Sequence, residues 1–248
     1  MKGLARSISG MLLSFFLMGT HAAEVARPGE YVSSGAWGRL KVEQRDGKTL
    51  FSIDSVGGNC HTCGLSGRIV GTAAETVDEE QASEPMVCRI RMTPSRDGRQ
   101  IKVEPQADEA CRQYCGMRAG FEGVYRKPQA LCTEGGQRKA RDIFIRHYRA
   151  KQFTQAVEAL RPVLEQCRDF LNWIEIDRVR NDLSLAYFHA GKDGQCINTL
   201  QKTRAAGFTD EEALRQGLPP CDFDNYVPTA QATWHNMRLC GSEPGIQR

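Results

Sequence analysis

From Gly29 onward the chain alternates. In Trp37-Gly38-Arg39-Leu40-Lys41-Val42-Glu43, Leu40 and Val42 fall on one side and Arg39, Lys41 and Glu43 on the other. Asp46-Gly47 then supplies a hairpin turn, because both residue types tolerate positive φ. Thr49–Asp54 follows with Phe51 and Ile53 on one face. The pattern recurs in Cys88-Arg89-Ile90-Arg91-Met92, in a second Asp97-Gly98, and in Ile101-Lys102-Val103-Glu104. Phe121–Tyr125 reads as the closing strand, and the acidic, aperiodic stretch Glu75–Pro85 as an exposed loop. Short alternating runs parted by turn residues predict an antiparallel sheet with one wet face, built as a small barrel or sandwich.

After Gly135-Gly136 the period changes to that of a helix. Ala140, Ile143, Phe144, His147 and Tyr148 share one face, as do Phe153, Ala156, Val157, Leu160, Val163, Leu164 and Cys167 on a second helix that Pro162 should kink. A third runs from Trp173 to Ala190 with Ile176, Val179, Leu183, Ala186 and Tyr187 inward, and Gly191 stops it. A fourth is expected over Gly194–Ala206. Thr209-Asp210-Glu211-Glu212 reads as a capping box opening a short fifth. Pro219-Pro220 should break the chain, leaving Asp222-Phe223-Asp224-Asn225-Tyr226 as a solvated turn before a last helix over Pro228–Leu239. The fold class is therefore α+β: an antiparallel β-barrel or sandwich, then an all-α domain of paired antiparallel helices.

The first residues change how the rest is read. Lys2 and Arg6, the apolar run Ile8–Met18 and the small residues of Thr20-His21-Ala22 make the three parts of a secretory leader. The run falls short of the roughly 20 residues that cross a bilayer. The expected division is a cleaved leader over 1–22, a disulfide-stapled β-domain over 23–132 and a helical-hairpin domain over 133–248. The expected compartment is a bacterial periplasm, with no membrane span after cleavage.

Export makes the ten cysteines the main covalent fact. Cys60, Cys63, Cys88, Cys111, Cys115 and Cys132 precede Cys167, Cys196, Cys221 and Cys240, and each even group can close its own bridges. Cys63 and Cys88 share an inward parity with Leu65 and Ile90, which predicts a Cys63–Cys88 bridge. Cys167–Cys196 and Cys221–Cys240 are expected to tie neighbouring helical segments. Cys60-His61-Thr62-Cys63 admits three readings: two structural half-cystines, a redox pair, or half a zinc site completed by Cys111 and Cys115. The expected one is structural, because the motif leads into a β-patterned run and not into a helix.

The formal charge of +3 includes Lys2 and Arg6, so the chain without its leader is close to neutral. That excludes the basic excess of a nucleic-acid-binding domain. No GxSxG, HExxH, phosphate-binding loop or dinucleotide fingerprint occurs, and no catalytic residue, cofactor or metal ligand is expected. His147 and His189 lie in patterned helices, where packing explains them. The candidate partner-binding residues are Trp37, His61, Asp222, Asp224 and Trp234.

Two resemblances bear on function. Leu183-Ser184-x2-Tyr187, followed by Gly191, Cys196 and Leu200, resembles the tetratricopeptide repeat, with Phe153, Ala156 and Leu160 at matching places of the preceding hairpin. Ala156 and Cys196 stand farther apart than the about 34 residues of that repeat. The resemblance implies a protein- or peptide-binding surface over Gln137–Gly207. The cysteine-stapled β pattern of Gly29–Lys127 is similar to periplasmic lysozyme inhibitors. Ser34-Gly35-Ala36-Trp37 resembles the Ser-Gly-x-x-Tyr loop of one such family, with the aromatic residue one position early. This resemblance implies a compact β-domain that inserts a loop into a muramidase cleft. The expected function is a non-enzymatic binding protein, an inhibitor of or immunity protein against a cell-wall-degrading enzyme or toxin. The alternatives are an envelope scaffold working through its helical hairpins, and a thiol–disulfide oxidoreductase using Cys60 and Cys63.

Overall fold

The computed structural model describes residues 25–76, 87–106 and 108–245. The leader over 1–22 and most of the acidic loop lie outside the described residues.

The alternating runs close into one barrel. Its strands are β1 (Gly29–Ser33), β2 (Gly38–Arg45), β3 (Lys48–Val56), β4 (Thr62–Val70), β5 (Ala73–Thr76), β6 (Arg89–Pro94), β7 (Gln100–Pro105) and β8 (Gly123–Arg126). Each pairs antiparallel with the next, and β8 returns to β1 through Val32 opposite Arg126 and Ser33 opposite Tyr125. Among the described residues closure leaves no free sheet edge, so the sheet is a barrel and not a sandwich. Leu40, Val42, Phe51, Ile53, Ile90, Met92, Ile101 and Val103 fill the interior as their parity predicts. Asp46 and Gly47 both take positive φ at the β2–β3 turn.

Before β8 a short helix, α1 (Asp108–Arg112), carries Cys111. Six further helices follow among the described residues: α2 (Glu134–Arg149), α3 (Phe153–Gln166), α4 (Trp173–His189), α5 (Asp193–Leu200), α6 (Glu211–Gly217) and α7 (Pro220–Leu239). Contacts run α2 to α3, α3 to α4 and α4 to α5, while α7 packs on α4, α5 and α6. Among the described residues no helix is long and apolar enough to cross a membrane.

Three helix boundaries differ from expectation. The fourth helix ends at Leu200, because the next free backbone donors are claimed from outside. Asp177 Oδ2 accepts the Arg204 N–H at 2.8 Å, and the Tyr226 hydroxyl oxygen accepts the Ala205 N–H at 2.8 Å. The last helix starts eight residues early. Pro220 sits at its first position, where a missing N–H costs nothing, and Pro228 lies on its exposed face. Asp222–Tyr226 is therefore no solvated turn: it forms the opening of α7, with Phe223 and Tyr226 buried. The cap of α6 is Asp210, which accepts the Ala213 N–H at 2.8 Å, and not Thr209.

Asp177 is the buried polar centre of the helical part. It accepts from Arg180 Nη1 at 2.8 Å and from the Tyr226 hydroxyl at 2.6 Å. Burial first, and then the Asp177 carboxylate, push the Tyr226 hydroxyl far above its ordinary pKa, so it stays a proton donor. The arrangement ties α7 to α4 and to the turn after α5.

All ten cysteines are bridged: Cys60–Cys221, Cys63–Cys115, Cys88–Cys111, Cys132–Cys167 and Cys196–Cys240. The three expected pairings are corrected. Cys63 and Cys88 do face inward, but β5 lies between their strands, and the segment before β8 delivers Cys111 and Cys115 instead. Cys167 ends α3 while Cys196 lies in α5, with α4 in between. Cys221 and Cys240 sit at opposite ends of a 20-residue helix, about 30 Å apart. Nor does each group close on itself, since Cys60–Cys221 and Cys132–Cys167 both cross. Cys132 packs in the helical core. So complete a set of bridges indicates an oxidising compartment.

Candidate functional site

The loops at one end of the barrel carry the most chemistry. Ser33 Oγ accepts the Gly38 N–H at 2.7 Å and holds the turn Ser34–Ala36, which puts Trp37 at the rim. The Trp37 carbonyl accepts the Val56 N–H at 2.8 Å, joining this turn to the β3–β4 loop. In that loop Asn59 and Cys60 both take positive φ, +54° and +57°. Asn takes that conformation readily, whereas a cysteine rarely does unless its surroundings hold it there.

Here the surroundings are α7. Asn59 Oδ1 accepts the Cys221 N–H at 3.0 Å, the Asn59 N–H donates to Asp222 Oδ2 at 3.2 Å, and Cys60 bridges to Cys221. Pro219, the residue before the helix, provides no side-chain cap, so the barrel caps α7 from across the domain boundary. Asn225 Nδ2 donates to Cys60 Sγ at 3.1 Å and to the Cys221 carbonyl at 3.0 Å. A second contact brings the turn Arg168–Phe170 against Ser34–Ala36, beside an Arg126–Asp169 ion pair at 3.6 Å.

Between these contacts lies a half-open cleft of about 620 Å³. Trp37, Val56 and Cys60 line its barrel wall, and Trp173, Arg178 and Asp222 its helical wall. Asn172 caps α4 at this wall in a complete capping box with Glu175.

The other side of the β3–β4 loop supports a protruding turn. The Ala119 N–H donates to the Gly116 carbonyl at 3.0 Å, and the Gly116 N–H to the Thr62 carbonyl at 2.9 Å. Cys63–Cys115 fixes the turn's base, and Ser55 Oγ donates to the Gly120 carbonyl at 2.7 Å. Gly57 lets the backbones touch, since a Cβ there would stand 1.9 Å from the Arg118 carbonyl oxygen. His61 lies on Gly116, its Nδ1 2.7 Å from where a Cβ would be. At the tip, Met117 is 94 % exposed and Arg118 is exposed beside it. A further hollow of about 550 Å³ opens behind the turn, with Phe121 and Pro105 in its lining.

The five candidate residues separate accordingly. Trp37, His61 and Asp222 gather at this end of the barrel. Asp224 is exposed on the first turns of α7 but does not line the cleft. Trp234 is corrected: it is 7 % exposed, and its indole N–H donates to the carbonyls of Ala205 at 2.9 Å and Phe208 at 3.1 Å. It secures α7 instead of facing a partner. Asn59, Trp173, Arg178, Met117 and Arg118 were not anticipated. Gly57-Gly58-Asn59 carried a turn signal, but nothing local marks what that turn touches.

Cys60 and Cys63 are bonded to different partners, so the CxxC stretch is not a dithiol pair, and neither sulfur is free to hold zinc. Among the described residues no three His, Cys, Asp or Glu side chains are grouped to hold a metal ion. Comparison with protein-family models, with curated proteins and with solved structures finds no match to this chain.

Proposed function

We propose that the protein is a non-enzymatic binding protein of the bacterial periplasm that docks on a cell-wall-degrading, lysozyme-like enzyme or a periplasm-targeted toxin and blocks it. The observation that carries this reading is the Met117–Arg118 turn: a long apolar side chain standing almost fully in water on a backbone braced by Ser55, Gly57, Thr62 and Cys63. Solvent exposure of a lone methionine brings the free protein no stability. On docking, a braced turn loses little conformational entropy, so its contacts are retained as affinity. Arg118 adds a planar cation suited to the carboxylates that line glycoside-hydrolase clefts. The adjoining cleft, with Trp37 and Trp173 in its walls, offers a second contact region of the kind where aromatic anchors concentrate.

The test is inhibition of purified lysozyme-type muramidases and of periplasm-targeted cell-wall hydrolases by the oxidised chain, read as lysis of a cell-wall suspension. The wild type is expected to suppress at least one enzyme stoichiometrically. Met117→Asp and Arg118→Glu, with unchanged circular dichroism, are expected to lose that suppression. Equal inhibition by wild type and both variants would remove the turn from the mechanism. Capture of envelope proteins alone, with no enzyme inhibited, would favour a scaffold role.

A further inference from the structure

The geometry points to a thiol–disulfide exchange site at Cys60–Cys221: a reducible latch between barrel and helices, opened by a dithiol donor. Each of the other four bridges includes a cysteine that is 2 % exposed or less. Cys60 and Cys221 are both only half-buried. Theirs is also the bridge with by far the longest sequence separation, 161 residues, and it joins the barrel rim to α7.

The chemistry favours one direction of attack. Cys221 is the second residue of α7, where the helix N-terminus stabilises a thiolate. Asn225 Nδ2 lies 3.5 Å from its sulfur and 3.1 Å from that of Cys60, so it can serve either thiolate, and the helix N-terminus decides between them. A donor thiolate attacking Cys60 Sγ therefore displaces Cys221 as a stabilised thiolate, and a leaving thiol of low pKa departs faster. The donor's second thiolate then attacks its own sulfur in the mixed disulfide and displaces Cys60. The donor leaves as a disulfide, and two electrons and two protons have passed to Cys60 and Cys221.

Reduction changes more than one bond. Cys60, a residue type that rarely takes positive φ, holds +57° with its sulfur fixed to Cys221. Once it opens the loop can relax, drawing Asn59 Oδ1 from the Cys221 N–H. What then joins the two parts includes the chain over 127–133, the packing of the Arg168–Phe170 turn against Ser34–Ala36 and β1, and the exposed Arg126–Asp169 pair, which adds little. The same loop backs the Met117–Arg118 turn, so unlatching alters both the cleft and the protruding tip.

The experiment is stepwise reduction of the native, full oxidised chain with dithiothreitol, quenched with N-ethylmaleimide and mapped by peptide mass spectrometry. Cys60 and Cys221 are expected to be labelled about tenfold or more faster than any other pair, the other eight remaining bridged. Asp222→Asn keeps an acceptor for the Asn59 N–H but removes a negative charge beside the leaving sulfur, and is expected to speed this step several-fold. Small-angle scattering of the selectively reduced wild type, and of Cys60→Ser/Cys221→Ser, is expected to give a larger radius of gyration than the oxidised chain. Earlier or simultaneous loss of another bridge would overturn the exchange site. An unchanged radius after selective reduction would overturn the latch.

Discussion

Asn59 accepts the backbone N–H of Cys221 at 3.0 Å, and so a loop of the barrel caps a helix that begins more than 160 residues later in the chain. The helix has no side-chain cap of its own at its start, and the bridge and hydrogen bonds to the helix hold the loop that carries the left-handed Cys60. Each element completes the other, which makes the end of the barrel and the start of α7 one structural unit.

Asn59 offers a direct check of that dependence. Asn59→Gly removes the cap but suits the +54° backbone, and should cost about 1 kcal/mol in denaturant unfolding of the oxidised protein. Asn59→Ala loses the cap and adds the left-handed penalty, about 1–2 kcal/mol more. If alanine is no worse than glycine at this position, the backbone argument is wrong.

Asp177 and Tyr226 form the buried pair that seats α7. Tyr226→Phe leaves the carboxylate one donor short and the Ala205 N–H unpaired, a loss of about 1–3 kcal/mol. Asp177→Ala strands the Arg180 guanidinium, which is only 12 % exposed, and should cost about 3–5 kcal/mol. In the double variant the losses should sum to less than the two singles, because both act on one network. Urea midpoints of the four proteins measure this.

Gly57 controls the protruding turn. Gly57→Ala drives a methyl group into the Arg118 carbonyl and should cost about 1–3 kcal/mol. Gly58→Ala, where a Cβ meets nothing within 4 Å, should be nearly silent. Trypsin cleavage after Arg118, followed by mass spectrometry, should accelerate in the first variant and not in the second.

Asp210 supplies a pH signature. The Ala213 N–H, and then the Thr209 hydroxyl, hold its carboxyl below the ordinary value of 3.8. A folded pKa below the unfolded one contributes stability at pH above 3.8, and that contribution disappears as pH falls through the lowered value. Asp210→Ala should thus have a lower Tm than wild type at neutral pH, with the gap narrowing in acid. A gap independent of pH would show that the charged cap contributes nothing.

Much of this architecture is legible residue by residue. The parity of Leu40, Val42, Phe51 and Ile53 announces which faces are inside, and Asp46-Gly47 marks the turn between them. The periodicity of Ala156, Leu160 and Val163 does the same for α3. These signals are readable because burial of one face imposes a period of its own on strand and helix, wherever the element lies in the fold. The full use of ten cysteines likewise follows from composition and an oxidising compartment.

Pairings between distant segments carry no such period. Cys63 and Cys88 have the right orientation to meet, yet β5 separates them, and only strand order along the barrel reveals it. The start of α7 depends on Asn59, and the end of α5 on Asp177 and Tyr226. In each case a donor or acceptor from a remote segment outweighs local preference. Met117 is an unremarkable apolar residue in the sequence, and becomes a candidate contact only when the folded loop leaves it in water. Hydrophobic patterning determines the elements of this protein, because it acts within a few residues. Tertiary contact decides the bridges, the helix ends and the exposed tip, because those are settled by which segments meet.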